Sequence, residues 1–468
     1  MIARRTVLLG GAALTTLAGC ATARAVAPVA DPWAEADRIA AAIQRPRIGP
    51  GSVSIADHGA VSGFDRDALP AVRAALAALG PGGGRLVVPP GQWRLDGPIH
   101  LTSRIELHVM AGAHIRFSTD PAHYLPMVFT RWEGTECWNY SPPVYAIGAE
   151  DIAITGGGTI DGQGFAGFFQ WRARQRTDQQ ALRRMGAEGV PVAQRVFGAG
   201  HYLRPSFVQF MSCRRILIDG PRFVDSTFWM IHPVYCDQVT VRNVSLKSDH
   251  LNSDGVDPDS STNVLIERCE FDVGDDGVAI KAGRDQDGWR VGRPSSHIVV
   301  RDCVYRGTAG GGMAIGSEMS GGVHHVYCQR YAMNDVVHGL YFKSNRDRGG
   351  EIRDVHIREI AINKAQSVII FTTDYHGHRG GDYPTRFTDI SIEKVACGEA
   401  IVGLSIVGAE RAPIGRVDVR EVVIGTARTP LRTRFADGLA FQDVLVNGAP
   451  LVPLRETGPE TFADQLKS

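Results

Sequence analysis

From about residue 104 to residue 447 the chain repeats one short apolar phrase. Ile105-Glu-Leu-His-Val, Ile152-Ala-Ile-Thr, Ile216-Leu-Ile-Asp, Val239-Thr-Val-Arg, Val264-Leu-Ile-Glu, Ile298-Val-Val-Arg, Val355-His-Ile-Arg and Ile390-Ser-Ile-Glu are variants of it. Alternating β-branched residues of this length read as strands. Val239 and Val264 are 25 residues apart, and Val264 and Ile298 are 34 apart, which are repeat-sized steps with loops of varying length. Two regions alone read as helix, Arg66 to Leu79 and Arg172 to Met185. Strands at this spacing without helices between them predict an all-β solenoid, a parallel β-helix whose coils stack ~4.8 Å apart. A propeller needs four strands per repeat, and the step is too irregular for that; a β-sandwich is the plainer alternative. Arg66–Leu79 is placed to cap the open N-terminal end of the solenoid. Gly makes up 54 of 468 residues, about 12 %, which suits a fold with many tight turns.

Fifty basic residues balance fifty acidic ones. Bulk charge therefore gives no basis for binding nucleic acid or a membrane surface. The first residues read as an export signal: Arg4-Arg5, an uncharged apolar run from Thr6 to Ala18, and Leu17-Ala-Gly-Cys20. The run is too short to span a bilayer, which takes ~20 residues, and fits a signal-peptide core. The ending resembles a lipobox with Cys20 as the lipidated residue, and the arginine pair partly resembles a twin-arginine signal. An ordinary cleaved signal with a coincidental Cys is the alternative. The expected layout is a signal peptide over 1–20, a tether and lead-in over 21–50, a β-helix domain over 51–450 and a tail over 451–468. The expected location is outside the cytoplasm, in the periplasm or cell envelope, with any membrane attachment through Cys20. The seven other cysteines stand singly, without a CxxC pair, and read as buried packing residues rather than a zinc site or disulfide framework.

The chemistry concentrates in Asn252-Ser-Asp-Gly-Val-Asp-Pro-Asp259 and Gly274-Asp-Asp-Gly277. Asp254 and Asp275 are 21 residues apart, close to one coil, so Asp254, Asp275 and Asp276 are expected to converge on one surface. Clustered carboxylates raise one another's pKa. The result is a protonated acid beside ionised bases, as glycoside hydrolysis requires. Gly-Asp-Asp-Gly alone reads first as a turn; the Asn-Ser-Asp motif one coil earlier reverses that in favour of the catalytic reading.

From about Val53 to Asn447 the sequence resembles glycoside hydrolase family 28, the polygalacturonase family, and its bacterial exo-acting branch in particular. The resemblance rests on the two Asp motifs and on Asp57-His-Gly-Ala-Val, Val88-Pro-Pro-Gly, Trp132-Glu-Gly-Thr-Glu-Cys-Trp-Asn-Tyr-Ser, Gly158-Thr-Ile-Asp-Gly-Gln-Gly, Phe228-Trp-Met-Ile-His-Pro-Val-Tyr-Cys and Ile315-Gly-Ser-Glu-Met-Ser-Gly-Gly. It implies a right-handed parallel β-helix and hydrolysis with inversion, without metal or cofactor. It also implies Asp275 as general acid, with Asp254 and Asp276 activating water. The implied substrate is a pectic or other uronate-containing oligosaccharide.

Two family positions differ. Gly310 stands where the family has His, and Tyr341-Phe-Lys343 replaces an Arg-Ile-Lys whose Arg and Lys hold a substrate carboxylate. A lone Lys343 lacks the bidentate fork of Arg, so the sugar at the cut is expected to depend less on a uronate carboxylate. Tyr341, Asn252 and Arg284 join Lys343 as candidate substrate contacts, and Arg348 is a further source of positive charge. His250 and His338 are candidate substitutes for the missing His. His324-His325 reads as a surface pair before it reads as metal ligands. Trp132, Trp138 and Tyr140 either stack on sugar or shield a loop. Residues 166–205 form a basic insertion able to wall one end of a cleft. The rivals are a calcium-dependent β-helix lyase, although Asp254–Asp259 lacks a calcium-loop pattern, and a non-catalytic carbohydrate-binding β-helix.

Overall fold

The computed structural model describes residues 31–376 and 379–452. The signal, Cys20 and most of the C-terminal tail lie outside the described residues. The chain is a right-handed parallel β-helix whose central coils stack their strands in three parallel columns, in keeping with the handedness of parallel crossovers. The apolar phrases quoted above fall in one of these sheets and in register. Ile152, Ile216, Val239, Val264, Ile298, Val326, Val355 and Ile390 pair in sequence up the stack. Their side chains are buried in one continuous core. Each coil therefore buries the apolar edge of its neighbours, and the repeat has no stable form as a single coil.

The corner inside this strand has a conformational signature. Arg215, Gln238, Asn263, His297, His325, Asp354 and Asp389 follow residues that pair in successive coils, and each has a φ between 53° and 59°. Left-handed backbone is unusual for residues other than Gly. Here one such residue per coil interrupts the ladder, and polar side chains such as Asn, Asp and His tolerate it best. A second column recurs at Asn243, Arg268, Asp302, Arg330, Glu359 and Lys394.

Four α-helices occur among the described residues: α1 (Pro32–Ala42), α2 (Leu69–Leu79), α3 (Arg172–Ala187) and α4 (Asp285–Val291). Helix α2 caps the N-terminal end as expected, burying Leu69, Val72 and Ala75 against the first coils. It starts three residues later than the sequence suggests. Gly63–Asp67 pairs as a strand with Gly91–Leu95, and Asp67 Oδ1 accepts the Leu69 N–H at 2.9 Å. Helix α1 lies within the segment read as a tether and lead-in. Trp33, Ala36 and Ile39 share one face and pack on Leu265, Val299 and Tyr327, which point outward from successive coils. The seven described cysteines are buried and free. At the far end Leu439–Val446 is the last full rung, with Ala449–Pro450 folded back on it.

The third sheet positions the chemistry. Ile231, Val256, Val278, Met313, Leu340 and Ile369 follow one another in register along it. The turns entering these strands lie side by side on one outer face of the stack.

Candidate active site

Val256 pairs with Val278, so Asp254 and Asp276 occupy the same place in successive coils, two residues before each. Asp275 lies one residue earlier, and the separation of partners is thus one residue longer than the sequence reading took. The three carboxylates still meet, with oxygen atoms within 4.8 Å of one another. Asp254 and Asp276 are buried, and Asp275 is half-buried. Ser253 fixes the approach of the two turns. Its hydroxyl donates to His250 O at 2.6 Å and accepts the Gly274 N–H at 3.0 Å. Asn252, with φ 65°, donates its N–H to Asp275 Oδ2 at 3.2 Å. Its side-chain oxygen accepts from buried Arg204 at 2.6 Å.

Asp276 accepts from Lys343 Nζ at 2.6 Å and from the Gly311 N–H at 2.7 Å. Lys281 is the other central cation. Its ammonium lies 3.4 Å from Asp254, 3.5 Å from Asp257 and 3.6 Å from Glu318, and 4.4 Å from the centre of the Trp229 ring. Lys281, Gly316 and Lys343 are consecutive in register. Gly316, at φ 107°, sits against the Lys343 carbonyl, where a Cβ would come within 1.9 Å.

Desolvation sets the protonation pattern. Burial, and then the Asp275 charge, push the Asp254 carboxyl up to about 8 against the pull of Lys281. Burial and then Asp276 also raise Asp275, opposed by Lys343, Lys281 and the Asn252 N–H. Asp257, fully buried behind Asp254, is held well above the carboxylate range by burial and by Asp254. Burial works against the Lys281 ammonium, but Asp254, Asp257 and Glu318 together raise it above its ordinary value. Burial likewise opposes ionisation of Glu318, yet Arg284, Lys281 and Arg348 hold it well below the usual range. Neighbouring carboxyls of this kind share protons as a unit, and the cluster keeps acidic protons next to charged oxygens.

The pocket above these groups is lined by Asn252, Asp254, Asp275, Lys281, Arg284 and Lys343 from the coils. Glu133, and Gln179 and Arg183 of α3, close one side. Arg183 pairs with Glu133 at 2.7 Å and Gln179 with the same carboxylate at 2.9 Å. The basic insertion therefore walls the pocket. Trp229, Ser317, Glu318, Tyr375 and His376 complete the lining.

The remaining sequence candidates are distributed as follows. Arg284 reaches the pocket wall, with its buried guanidinium bound to Glu318 at 2.5 Å and to the Glu133 carbonyl at 3.1 Å. Tyr341 is buried below the pocket. Its ring lies 4.3 Å from that of His338 and 4.7 Å from Lys343 Nζ, so it backs the lysine. Arg348 is buried against Asp285 and Ser317 and does not line the pocket. Gly310, at φ 69°, abuts Asp276, where an added Cβ would lie 2.6 Å from its Oδ1. His338 is in register with Gly311 rather than Gly310, and burial and Lys343 lower its pKa to about 3. His250 is turned toward Asp225 and Ser248. His324 and His325 contact each other and His297 on the flank. Trp132 stacks on Phe228 and Tyr140 packs on Trp171, both buried, while half-covered Trp138 rests on Phe129. Burial makes Trp132 and Tyr140 packing residues that shield loops, while Trp138 stays open to solvent. Lys281, Glu133, Glu318 and Trp229 carry no role in the sequence reading, although the last three stand inside motifs quoted for the resemblance.

Residues 85–406 match the model of glycosyl hydrolases family 28. A hyperthermoactive exopolygalacturonase from Thermotoga maritima is 36 % identical and superposes with a TM-score of 0.86, over 90 % of this chain and 97 % of that one. A probable polygalacturonase from Vitis vinifera is 27 % identical over 429 residues, 87 % of this chain and 82 % of the relative. A polygalacturonase from Erwinia carotovora ssp. carotovora shares the fold at 20 % identity, with a TM-score of 0.59 over 86 % of this chain and 98 % of that one.

The raised Asp254 pKa has a consequence for stability. The folded chain keeps this proton to about pH 8, and an unfolded Asp releases it near 3.8. Between those values the folded state binds more protons, so this group's contribution to stability falls as pH rises. Asp254→Asn removes the dependence. Thermal melts of both proteins from about pH 4 to about pH 8 should show the gap moving steadily in the variant's favour; a gap independent of pH contradicts the assignment.

Proposed function

From its place in glycosyl hydrolases family 28, to which this chain belongs as a hydrolase of glycosidic bonds, we propose that it removes sugars from the ends of pectic, galacturonate-containing oligosaccharides with inversion at the anomeric carbon. The observation that carries this reading is the meeting of Asp254, Asp275 and Asp276 at one pocket, with Lys281 and Lys343 against them. Asp275, half-buried and raised in pKa, protonates the leaving oxygen. Asp254 and Asp276 hold the attacking water between them; Asp276 takes its proton, and Asp254, which keeps its own, orients it by a hydrogen bond. The wall made by Glu133, Gln179 and Arg183 favours a chain end over a chain middle. Arg183, with a quarter of its side chain exposed, and Lys343 are the cations available to a uronate carboxylate. Tyr341 in place of Arg reduces the demand for one, so a substrate with a neutral or differently linked residue at the cut is preferred over plain polygalacturonic acid.

Inversion rests on the family and on the paired water-activating carboxylates. Oxygen separations within 4.8 Å are shorter than the ~6.5–9.5 Å usual for inverting pairs and closer to the ~5–5.5 Å of retaining ones. Proton NMR of the anomer released first decides between the two. Wild type should release the inverted anomer from pectic oligomers, independently of added calcium and without an unsaturated product. Asp275→Asn should lose at least ~10²-fold in rate with an unchanged melting temperature. Unsaturated products would establish the lyase reading, the retained anomer would refute inversion, and near-normal turnover in Asp275→Asn would place the acid elsewhere.

We also propose export with a lipid anchor at Cys20, on the strength of Leu17-Ala-Gly-Cys20 after an apolar run. In cell fractionation, wild type should sediment with membranes and Cys20→Ser should not. Identical partitioning would overturn the anchor.

A further inference from the structure

We propose that Phe165, backed by Phe169 and His250, is a stacking site for an uncharged sugar residue on the leaving-group side of Asp275. The proposal deepens the hydrolase reading above and rests on it. Phe165 is 62 % exposed, yet it is held in place. Its N–H donates to Asp225 Oδ1 at 2.8 Å, and its ring stacks on Phe169 with centroids 5.9 Å apart and planes 19° apart. Phe169 in turn lies 4.6 Å from the His250 ring, which is fixed by Ser248 at 3.1 Å and Asp225 at 3.2 Å. Gly164 lets this segment lie directly on the neighbouring coil, since a Cβ there would come 1.7 Å from Ser226 O. An anchored aromatic face open to solvent offers the apolar face of a sugar ring a stacking surface.

The platform borders a recess of about 390 Å³ with Val224, Lys247 and Asp249 on its other sides. The Gly162 N–H bonds Val224 O, the Asp225 N–H bonds Lys247 O, and Ser248 pairs with Val273, so the turn bearing Phe165 stands three rungs, ~14 Å, before the turn of Asp275. His250, whose carbonyl a Cβ on Gly274 would meet at 2.3 Å, lies on the rung next to the acid. Asn252 stands between them with its N–H on Asp275. The walled pocket lies on the opposite side of Asp275. A chain end seated there directs the residues beyond the cut across Asp275 and on toward Phe165. Charge selects the kind of residue. The Lys247 ammonium is paired with Asp272 at 3.1 Å and the Asp225 carboxylate with His250 at 3.2 Å; the recess is lined by two carboxylates, Asp225 and Asp249, against one ammonium. Carboxylates accept sugar hydroxyls and repel a uronate. The residue that fits is a methyl-esterified galacturonate or a neutral pectic sugar.

The test uses binding, so that turnover does not enter. Titration calorimetry on full-length Asp275→Asn, and on the same protein carrying Phe165→Ala, compares a galacturonate pentamer, long enough to extend from the walled pocket to Phe165, with its methyl-esterified counterpart. The ester should bind the platform-bearing protein more tightly than the free acid. Phe165→Ala should weaken ester binding roughly tenfold and acid binding less than twofold, with the melting temperature unchanged. Equal effects on the two ligands, or none on either, would overturn the proposal. Neither result bears on whether wild type hydrolyses pectic oligomers, which the product assay decides separately.

Discussion

Parallel strands stacked rung on rung can slip only by whole residues, and a slip of one residue would turn an inward face outward. Val256, Val278, Met313 and Leu340 share one inward column of the third sheet. Their burial fixes the register, and the register places Asp254 and Asp276 side by side with Asp275 at the rim. The same register brings Lys281 and Lys343 to one line separated by Gly316. The site's geometry is thus a consequence of core packing, and no long-range contact specific to the carboxylates is needed to assemble it.

Charge balance then makes the cluster tolerable. Four Asp carboxyls at 254, 257, 275 and 276, together with Glu318, meet Lys281, Lys343, Arg284 and Arg348 in a region largely closed to water. Buried ion pairs of this kind return little net stability, because desolvation offsets their attraction. What they provide is a set protonation pattern. Lysines hold Asp276 and Glu318 as hydrogen-bond or ion-pair acceptors, while burial and like charge keep Asp254 and Asp275 high in pKa. Removal of Lys281 would leave Asp254 and Asp257 without their nearest cation.

Much of this was legible in the sequence. The stacked Ile and Val phrases announced the coil, and the two Asp motifs announced the site, because both depend on spacing along the chain. The one-residue offset of Asp275 was hidden, since loop lengths vary the step from coil to coil and only the pairing of Val256 with Val278 fixes it here. Helix α1 was hidden because its docking surface, Leu265, Val299 and Tyr327, reads as ordinary outward strand positions. Arg284 looked available as a cation; only the fold reveals Glu133 and Glu318 against it. Glu133 reaches the pocket from a hairpin 151 residues away from Arg284, a distance no local motif records.

The central claim is that Asp275 delivers the proton to the departing sugar oxygen. A leaving group that needs no proton should make this residue dispensable. Rates of Asp275→Asn relative to wild type, measured on an unactivated galacturonate disaccharide and on an aryl galacturonide with an acidic phenol, test this directly. The account predicts a loss of at least ~10²-fold on the disaccharide and near-wild-type bond cleavage on the aryl substrate. An equal loss on both would contradict it.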